Sequence, residues 1–256
     1  MQNHIMELYS QGRQTVGTFI NLGSEVCAEC LAIAGLDYFI VDTEHSPFDL
    51  RETLECIRSA EIRGITPFVR IKEVTRSTVS KMLDIGAKGI IIPGLKTVDE
   101  VKQIIRFGKY APVGERGFCP TRCCGYGYDE SLSGSLRDYL DEANREIMFI
   151  PQCETREFLE DLDRIVALDG VDGIFVGPFD LSIALGKPAA FDDPVLISAF
   201  DYVLRTCKKA GKPAFIYATS LEDAKNRFAQ GFDSVTYRAD LNLLIESYQA
   251  VVAALH

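Results

Sequence analysis

Short apolar runs alternate with amphipathic stretches eight times along the chain, and this alternation constrains the fold more than any other feature. The apolar runs predict strands at 15–21, 37–44, 66–72, 89–95, 147–154, 171–178, 213–219 and 233–239. The stretches between and after them predict helices at 25–34, 48–62, 76–85, 97–108, 156–167, 194–210, 221–230 and 240–255. Eight strand–helix units in 256 residues are typical of a (β/α)8 barrel, a TIM barrel, which we expect to form a single domain over residues 1–256.

A doubly wound sheet is the alternative arrangement of the same elements. The number of units and the lack of a G-x-G-x-x-G stretch after the first strand favour the barrel. One segment breaks the alternation: residues 111–134 form a Gly- and Cys-rich excursion after the fourth helix. Loops of that length in a compact domain are usually functional or disordered, so this segment becomes a candidate for a functional loop.

Composition excludes several classes of partner. The net charge of −10 and the pI near 4.9 argue against a nucleic-acid backbone as ligand. No apolar stretch approaches the roughly 18 residues that a membrane-spanning helix needs, so we expect no membrane partner. The N-terminal stretch has no basic region followed by an apolar one, as a signal peptide would, which predicts a cytoplasmic protein.

The eight cysteines are expected to be reduced thiols, as is usual in a long cytosolic chain. Cys27 and Cys30 have C-x-x-C spacing but fall within a predicted helix, without a second such pair. Cys119, Cys123 and Cys124 cluster in the excursion, where a soft metal would need a fourth ligand. No histidine lies nearby in the sequence, so we interpret them as loop thiols.

Polar side chains crowd the C-terminal ends of four predicted strands. In a (β/α)8 barrel these ends meet at one face, where the chemistry of such proteins takes place. Strand periodicity places alternate residues on one side, so several strands direct polar groups the same way. A charged residue at the end of a single strand is unremarkable, because strand ends meet solvent. Polar residues at the ends of four strands, all directed to the same side, predict a functional site. The residues are Asp42, Glu44 and His45 after the second strand, Arg70 and Lys72 on the third, Gln152 and Glu154 on the fifth, and Asp180 after the sixth.

Two features suggest the chemistry of that site. His45 is the only histidine away from the chain termini, which makes it the candidate for acid–base transfer, with capping of the next helix as its structural alternative. Glu154 and Asp180 could supply two carboxylates from adjacent strands, and such hard oxygen ligands suit Mg²⁺ or Mn²⁺.

The residues around these positions resemble the HpcH/HpaI aldolase family, the metal-dependent 2-oxo-acid aldolases related to the citrate lyase β-subunit. The resemblance extends from about residue 15 to 240. It implies a barrel-shaped class II aldolase of the 4-hydroxy-2-oxoheptanedioate type, which reversibly cleaves a 4-hydroxy-2-oxo acid to pyruvate and an aldehyde. The matching stretches, in order, are DTEHSPFDL, PFVRI, IIIPGLKTVDE, GERGF, PQCET and VGPFDLSIALG.

The resemblance also implies roles for individual residues. Glu154 and Asp180 would bind the divalent metal, Mg²⁺ or Mn²⁺ with Co²⁺ as a further option, which pyruvate or its enolate chelates. Arg70 would stabilise the enolate oxygen. His45 would transfer protons, paired with Asp84, while Asp42 orders metal-bound water. The substrate-binding residues would be Arg70, Gln152, Gly177, Phe179 and Asp180, with the backbone amides of the last two on the carboxylate.

Some positions depart from the family pattern. Phe179 is bulkier than the small residue expected before the metal-binding aspartate, and Phe19 stands where a larger aromatic side chain can sit. The Cys-rich loop at 117–128 differs from the expected Ala- and Ser-containing versions, so the acceptor aldehyde is left open. Arg116 and Arg122 could bind a distal carboxylate there, although solvated surface arginines are the simpler interpretation.

Three other functions fit the same sequence. Lys72 shares a strand face with Arg70 and could form a Schiff base in a metal-free aldolase. A citrate-synthase-like enzyme of the same superfamily would use the enolate to make a carbon–carbon bond. A non-catalytic barrel could bind an oxo acid without turnover. The family resemblance further implies a homo-oligomer, a hexamer or trimer, with the last helix packing on a neighbouring subunit.

Overall fold

The computed structural model describes residues 3–256 as alternating strands and helices. The strands are β1 (Thr15–Ile20), β2 (Tyr38–Asp42), β3 (Thr66–Arg70), β4 (Gly89–Ile92), β5 (Met148–Cys153), β6 (Ile174–Val176), β7 (Ala214–Ala218) and β8 (Ser234–Ala239). The helices are α1 (His4–Ser10), α2 (Glu25–Ile33), α3 (Leu50–Arg63), α4 (Arg76–Asp84), α5 (Val98–Gly108), α6 (Leu136–Glu146), α7 (Arg156–Glu160), α8 (Leu162–Val166), α9 (Pro178–Ala184), α10 (Pro194–Ala210), α11 (Leu221–Gln230) and α12 (Asp240–Leu255).

The eight strands form a closed parallel barrel. Each strand is hydrogen-bonded to the next along the chain, and β8 closes on β1 with Thr15 opposite Ser234. The register between β2 and β3 places Asp42 directly opposite Arg70. The predicted (β/α)8 barrel is therefore confirmed, and the two polar strand ends lie side by side.

Alternation along the strands divides the core into two parts. Tyr38 and Ile40 belong to the cluster inside the barrel, whereas Phe39 and Val41 pack outside it, between the sheet and the helices. Because alternate side chains of a strand point to opposite faces, Asp42 continues the inner row of β2. The C-terminal end of this strand thus presents a carboxylate to the barrel mouth.

The N-terminal end of the barrel is closed. Ile5 of α1 is 1% exposed and joins the interior cluster. The side chain of Asn3 donates to the carbonyl oxygens of Lys88 (3.1 Å) and Glu146 (2.8 Å), which holds α1 over this end. Inside, the Tyr38 hydroxyl hydrogen-bonds to Thr236 (2.7 Å). A ligand can therefore approach the interior only from the opposite, C-terminal face.

The structure differs from the predicted helices in several places, two of which lie on either side of β5. The helix predicted at 156–167 is broken at Asp161, which separates α7 from α8. The sequence pattern assigned no element to residues 135–146, but these residues contain α6. Ser135 caps the N-terminus of this helix, since its hydroxyl oxygen accepts a hydrogen bond from the Asp138 N–H. The excursion at 111–134 contains only short 3₁₀ segments, at Arg122–Gly127 and Glu130–Leu132.

The last helix, α12, presents apolar side chains to solvent in the single chain. It touches its own barrel mainly at β1 and β8. Among residues 3–256, none of the helices combines the length and apolar character needed to cross a membrane. The exposed apolar residues of α12 are Leu243, Leu244, Ile245, Tyr248, Val251, Val252 and Leu255.

Candidate active site

A cavity of about 230 Å³ opens at the C-terminal face of the barrel. It collects most of the site residues that the sequence predicts, and Glu154 lies directly beside it, against Gly177. The predicted convergence of strand ends is therefore observed. The lining residues are Phe19, Asn21, Asp42, His45, Arg70, Gln152, Phe175, Gly177, Pro178, Phe179, Asp180, Tyr217 and Ala239.

Arg70 is fixed at the cavity wall by a two-point contact with Asp42. Its Nε donates to Asp42 Oδ1 (2.9 Å) and its Nη2 donates to Oδ2 (2.7 Å). Burial of Asp42 raises the pKa of its carboxyl, but the hydrogen bonds and charge of Arg70 outweigh burial and hold that pKa below its usual value. Asp42 is therefore ionised near neutral pH, and the guanidinium is held in one orientation.

Glu44 connects this ion pair to the histidine. Its Oε2 lies 3.3 Å from Arg70 Nε and 3.5 Å from His45 Nε2. Burial raises the pKa of Glu44, partly offset by the nearby Arg70. The backbone N–H groups of Glu44 and His45 also donate to Asp42 Oδ1, at 3.2 and 3.3 Å. The turn after β2 thus holds the imidazole, whose side chain is 67% exposed, at the rim of the cavity.

Glu154 is a buried carboxylate without a cationic partner in direct contact within residues 3–256. It accepts hydrogen bonds from the backbone N–H of Gly94 and from the side-chain amide of Gln152. Burial raises the pKa of Glu154 to about 7, and the negative charges of Asp180 and Glu44 add to that rise. A carboxylate held this way binds a positive charge more favourably than one already paired.

The Glu154 side chain lies close against the backbone of Gly177. A Cβ added at Gly177 would lie 2.8 Å from Gln152 Nε2 and 3.1 Å from Glu154 Oε2, so glycine is needed there for these two side chains to keep their positions. Asp180, in the first turn of α9, brings a second carboxylate close enough for its charge to act on Glu154. Within residues 3–256 no three His, Cys, Asp or Glu side chains enclose an ion. Two carboxylates are hard oxygen ligands, of the kind that suits Mg²⁺ or Mn²⁺ when water or substrate supplies the other positions.

An aromatic wall faces these polar groups. The Phe19 and Tyr217 rings lie 6.1 Å apart, and Phe179 contacts Tyr217 at 6.2 Å between ring centres. Arg70 Cζ stands 4.6 Å from the centre of the Phe19 ring, a cation–π distance. Phe19 and Phe179, the two positions that depart from the family pattern, therefore shape the cavity directly.

Asp84 does not contact His45 within the single chain. It ends α4, whose C-terminus lies at the closed end of the barrel, because helices that follow barrel strands run back towards the strand N-termini. Its Oδ1 lies 2.8 Å from Nη2 of the buried Arg116 instead. The pairing of Asp84 with His45, which the family resemblance implies, therefore stays a prediction.

The Cys-rich loop also lies away from the cavity of its own chain. Arg122 donates to the Ile85 carbonyl (2.8 Å) and forms an ion pair with Glu61, both near the end of the barrel that α1 closes. With Arg116 paired to Asp84, neither loop arginine is available to a substrate in this cavity. Lys72, the Schiff-base alternative, is exposed and does not line the cavity either.

A model of the HpcH/HpaI aldolase/citrate lyase family matches residues 15–247. The chain belongs to this family. Among curated relatives, a hydroxypyruvate/pyruvate aldolase of Rhizorhabdus wittichii is 34% identical over 254 residues, 98% of each chain. A 4-hydroxy-2-oxo-heptane-1,7-dioate aldolase of Shigella sonnei is 28% identical, over 99% of this chain and 95% of that protein.

Solved structures of similar proteins superpose on nearly the whole chain. An HpcH/HpaI aldolase from Desulfitobacterium hafniense superposes with a TM-score of 0.89 at 30% identity, covering 98% of this chain and 95% of that one. The citrate synthase SbnG superposes with a TM-score of 0.86 at 28% identity, covering 97% of this chain and 95% of that one. The prediction of an HpcH/HpaI enzyme, a carbon–carbon lyase, is confirmed by the family and by its named aldolases.

Several residues of this HpcH/HpaI site were not predicted from the sequence. Asn21 directly follows β1 and its side-chain amide donates to Asp42 Oδ2 (3.3 Å), so it supports the carboxylate that orients Arg70. Tyr217 lines the cavity at the end of β7. Strand-end position could have suggested both, but each is a common residue type there and carries no further signal.

Proposed function

We propose that this HpcH/HpaI enzyme reversibly cleaves a 4-hydroxy-2-oxo acid to pyruvate and an aldehyde, through an enolate of pyruvate. The observation that carries the proposal is the fixed guanidinium of Arg70 at the cavity wall, with Glu154 as a buried, unneutralised carboxylate next to the same cavity. Enolate formation needs a fixed positive group where the negative charge develops, and a permanently charged, two-point-held arginine meets that need.

A divalent cation is proposed to complete the site. Glu154 and Asp180 would hold Mg²⁺, Mn²⁺ or Co²⁺, because carboxylate oxygens with open positions suit these ions. When bound, such an ion would supply positive charge that stabilises the developing enolate. The raised pKa of Glu154 and the nearby negative charge of Asp180, which contributes to that rise, support this assignment.

Side chains and backbone amides of the chain are proposed to bind the substrate and to transfer the proton. Gln152 and Arg70 line the inner end of the cavity, where the oxo acid would bind. The first-turn amides of Phe179 and Asp180 have no acceptor within α9, which supports their assignment to the substrate carboxylate. Cleavage removes a proton from the 4-hydroxyl group, and His45, at the rim and close to Glu44, is the proposed acceptor.

A second function, citrate synthesis, has one specific observation in its favour. The citrate synthase SbnG superposes on nearly the whole chain. An enolate stabilised by the same arginine could attack an acceptor instead of being protonated, so the site alone is compatible with both outcomes. The aldolase is preferred because the curated relatives described above are aldolases.

We also propose that α12 packs against a second copy of this chain. Its apolar residues are exposed in the single chain, and the family resemblance implies an oligomer. Val252→Glu, on the exposed apolar face of α12, should reduce the mass measured by light scattering, whereas Lys225→Glu on the solvent face of α11 should not. An unchanged mass for Val252→Glu would contradict the proposed interface.

Pyruvate release from a panel of 4-hydroxy-2-oxo acids tests the proposal. Release should stop with EDTA and return with Mg²⁺, Mn²⁺ or Co²⁺. Glu154→Gln and Asp180→Asn should lose it, while Asp192→Asn, an exposed aspartate, should retain it. Release that survives EDTA would contradict the metal assignment and point to Lys72. Citrate formation without pyruvate release would favour the synthase, and oxo-acid binding without turnover would favour a non-catalytic barrel.

A further inference from the structure

Asp240, the first residue of α12, carries a buried carboxylate. The residue is 7% exposed, and among residues 3–256 no lysine, arginine or histidine side chain forms an ion pair with it. Burial of a charge is costly unless hydrogen bonds compensate for the lost water. The hydrogen bonds that Asp240 accepts therefore indicate why a charge is kept at this position.

Most of these hydrogen bonds come from the turn between β1 and α2. Asp240 Oδ1 accepts the backbone N–H of Asn21 (3.0 Å), and Oδ2 accepts that of Leu22 (3.1 Å). The thiol of Cys27, in the first turn of α2, also donates to Oδ2 (3.3 Å). Burial and the charge of Asp240 raise the pKa of Cys27 to about 12, so the thiol keeps the proton that it donates. The carboxylate thus connects the start of α12 to the turn after β1.

A local role in α12 does not account for this arrangement. An acidic residue in the first turn of a helix ordinarily acts on the N–H groups of that helix. Asp240 accepts one such hydrogen bond, from Leu241 (2.7 Å), while the others come from the turn after β1 and from α2. The N–H of Ala239, which precedes the helix, donates to Asn242 Oδ1 (3.2 Å). The main contacts of Asp240 are therefore long-range.

Asn21 extends this connection to the cavity, which its side chain lines. Its Nδ2 donates to Asp42 Oδ2 (3.3 Å) and to the hydroxyl oxygen of Ser46. An ionised carboxylate only accepts hydrogen bonds, so Asp42 determines which end of the amide faces it. Because the amide nitrogen contacts both partners, a displacement of Asn21 would disturb both of them.

The two partners of Asn21 support the groups with proposed chemical roles. Asp42 holds Arg70 through two hydrogen bonds, at 2.9 and 2.7 Å. Ser46 directly follows His45, whose backbone N–H donates to Asp42 Oδ1 (3.3 Å). One amide therefore supports both the guanidinium assigned to the enolate and the turn that carries the imidazole.

We propose that Asp240 and Asn21 are positioning residues of the reaction. Asp240 fixes the turn after β1, so that the Asn21 amide holds Arg70, through Asp42, and the turn of His45 in the reactive geometry. This inference rests on the proposed aldolase function, because that function assigns the roles of Arg70 and His45. The start of α12 thus acts on groups of β2 and β3 without contact with the reacting atoms.

Asn21→Asp makes the hydrogen bond to Asp42 depend on pH. The charged or titratable groups around the added carboxyl are Asp42, Glu44 and His45 at the end of β2 and after it, Arg70 on β3 and Asp240 on α12. When protonated, the added carboxyl can donate to Asp42. When ionised, it cannot donate and repels Asp42, and this repulsion raises its pKa.

The variant's kcat for pyruvate release, divided by the wild-type kcat at the same pH, should therefore fall as pH rises. The loss at the alkaline end should be about 10- to 100-fold, as expected when a reacting group is displaced. Asn21→Ala cannot donate at any pH, so its ratio to wild type should be reduced by the same factor throughout. A pH-independent ratio for Asn21→Asp would overturn the proposed positioning.

Asp240→Asn replaces one of the two accepting oxygens by an amide group of similar size. The kcat should fall about 10- to 100-fold, while the KM for the oxo acid changes little, because the groups are displaced and not removed. Asp233→Asn is the matched control. Asp233 also accepts a backbone N–H, from Ala214 (2.9 Å), but at the closed end of the barrel, so its substitution should lower stability and leave kcat unchanged.

The double variant Asn21→Ala/Asp240→Asn tests whether Asp240 acts through Asn21. It should be no slower than Asn21→Ala alone, because both substitutions interrupt one connection. Additive losses, or an unchanged kcat in Asp240→Asn, would overturn the proposal. If Asp240→Asn does not fold, the pH dependence of Asn21→Asp decides the question. No pyruvate release by the wild-type enzyme from any 4-hydroxy-2-oxo acid would instead overturn the proposed function.

Discussion

Arg70→Ala should remove stability and activity together, and a second substitution, Asp42→Asn, should restore only the stability. The Asp42 side chain is 3% exposed and its carboxylate takes two hydrogen bonds from Arg70. Removal of the arginine leaves a buried charge unpaired, which costs about 3–5 kcal/mol in the free energy of unfolding. In the double variant that charge is gone, so most of this loss should be recovered, since removing both partners of a buried pair is often near neutral.

Unlike stability, activity should not recover in the double variant. The enolate still lacks its fixed donor in the double variant, so kcat should stay reduced by about 10²–10³, or about 2.7–4 kcal/mol, as when one oxyanion donor is lost. Arg70→Lys retains a charge but not the planar fork that contacts Asp42 at two points, so it should also lose rate. The KM for the oxo acid should change much less than kcat in all three variants.

Urea unfolding measures the stabilities, and a coupled assay for pyruvate measures the rates. Return of activity in the Asp42→Asn/Arg70→Ala variant would refute the reasoning, because the arginine would then act only through the fold. Full activity of Arg70→Lys would refute the requirement for two-point positioning.

Two further variants and one pH dependence probe other parts of the site. Gly177→Ala should weaken Mn²⁺ binding about 10- to 100-fold by displacing Glu154, measured by calorimetry. His45→Gln should lower kcat by about 10²–10⁴ while changing the unfolding free energy by less than about 0.5 kcal/mol, because the side chain is 67% exposed. The folded-state pKa of Asp42 is lowered, so its stabilising effect should be complete above its usual pKa near 3.8 and be lost as pH falls through the folded value, as urea unfolding at acid pH will report.

Each of these three predictions has a control or a result that would contradict it. Gly134→Ala meets only one atom, at 3.7 Å, and should leave Mn²⁺ affinity unchanged. Unaltered Mn²⁺ affinity in Gly177→Ala would mean that metal binding does not depend on the position of Glu154 against Gly177. Wild-type activity in His45→Gln would exclude its role in proton transfer. The loss of stability at acid pH that Asp42 causes should be absent in the Asp42→Asn/Arg70→Ala variant. If the same loss persists in that variant, Asp42 is not its source.

The sequence predicted the parts of the site that depend on strand periodicity. Asp42 and Arg70 end neighbouring strands on the inner face, while Gln152 lies near the end of β5 and Glu154 directly follows it. Because parallel strand ends of a barrel meet at one face, pattern alone was enough to bring them together.

Other parts depend on features that no local pattern encodes. Asp84 ends a helix at the far end of the barrel, where it pairs with Arg116 from a loop of irregular structure. The left-handed backbone at Arg238 has no sequence signal, because the residue there is not glycine. This backbone conformation accompanies a bulge in β8, where Thr236 lies opposite Gly17 and Ala239 opposite Phe19 of β1, and only the tertiary structure defines that pairing.

The central claim is that this cavity forms the enolate of pyruvate, and hydrogen exchange into the pyruvate methyl group tests it without any choice of acceptor. The enzyme is incubated with pyruvate and Mg²⁺ in D₂O, and deuterium uptake is followed by mass spectrometry. Uptake should depend on the enzyme, stop with EDTA, and be lost in Glu154→Gln and strongly slowed in Arg70→Lys. Absence of uptake with the wild-type, metal-loaded enzyme, or equal uptake by these variants, would contradict the account.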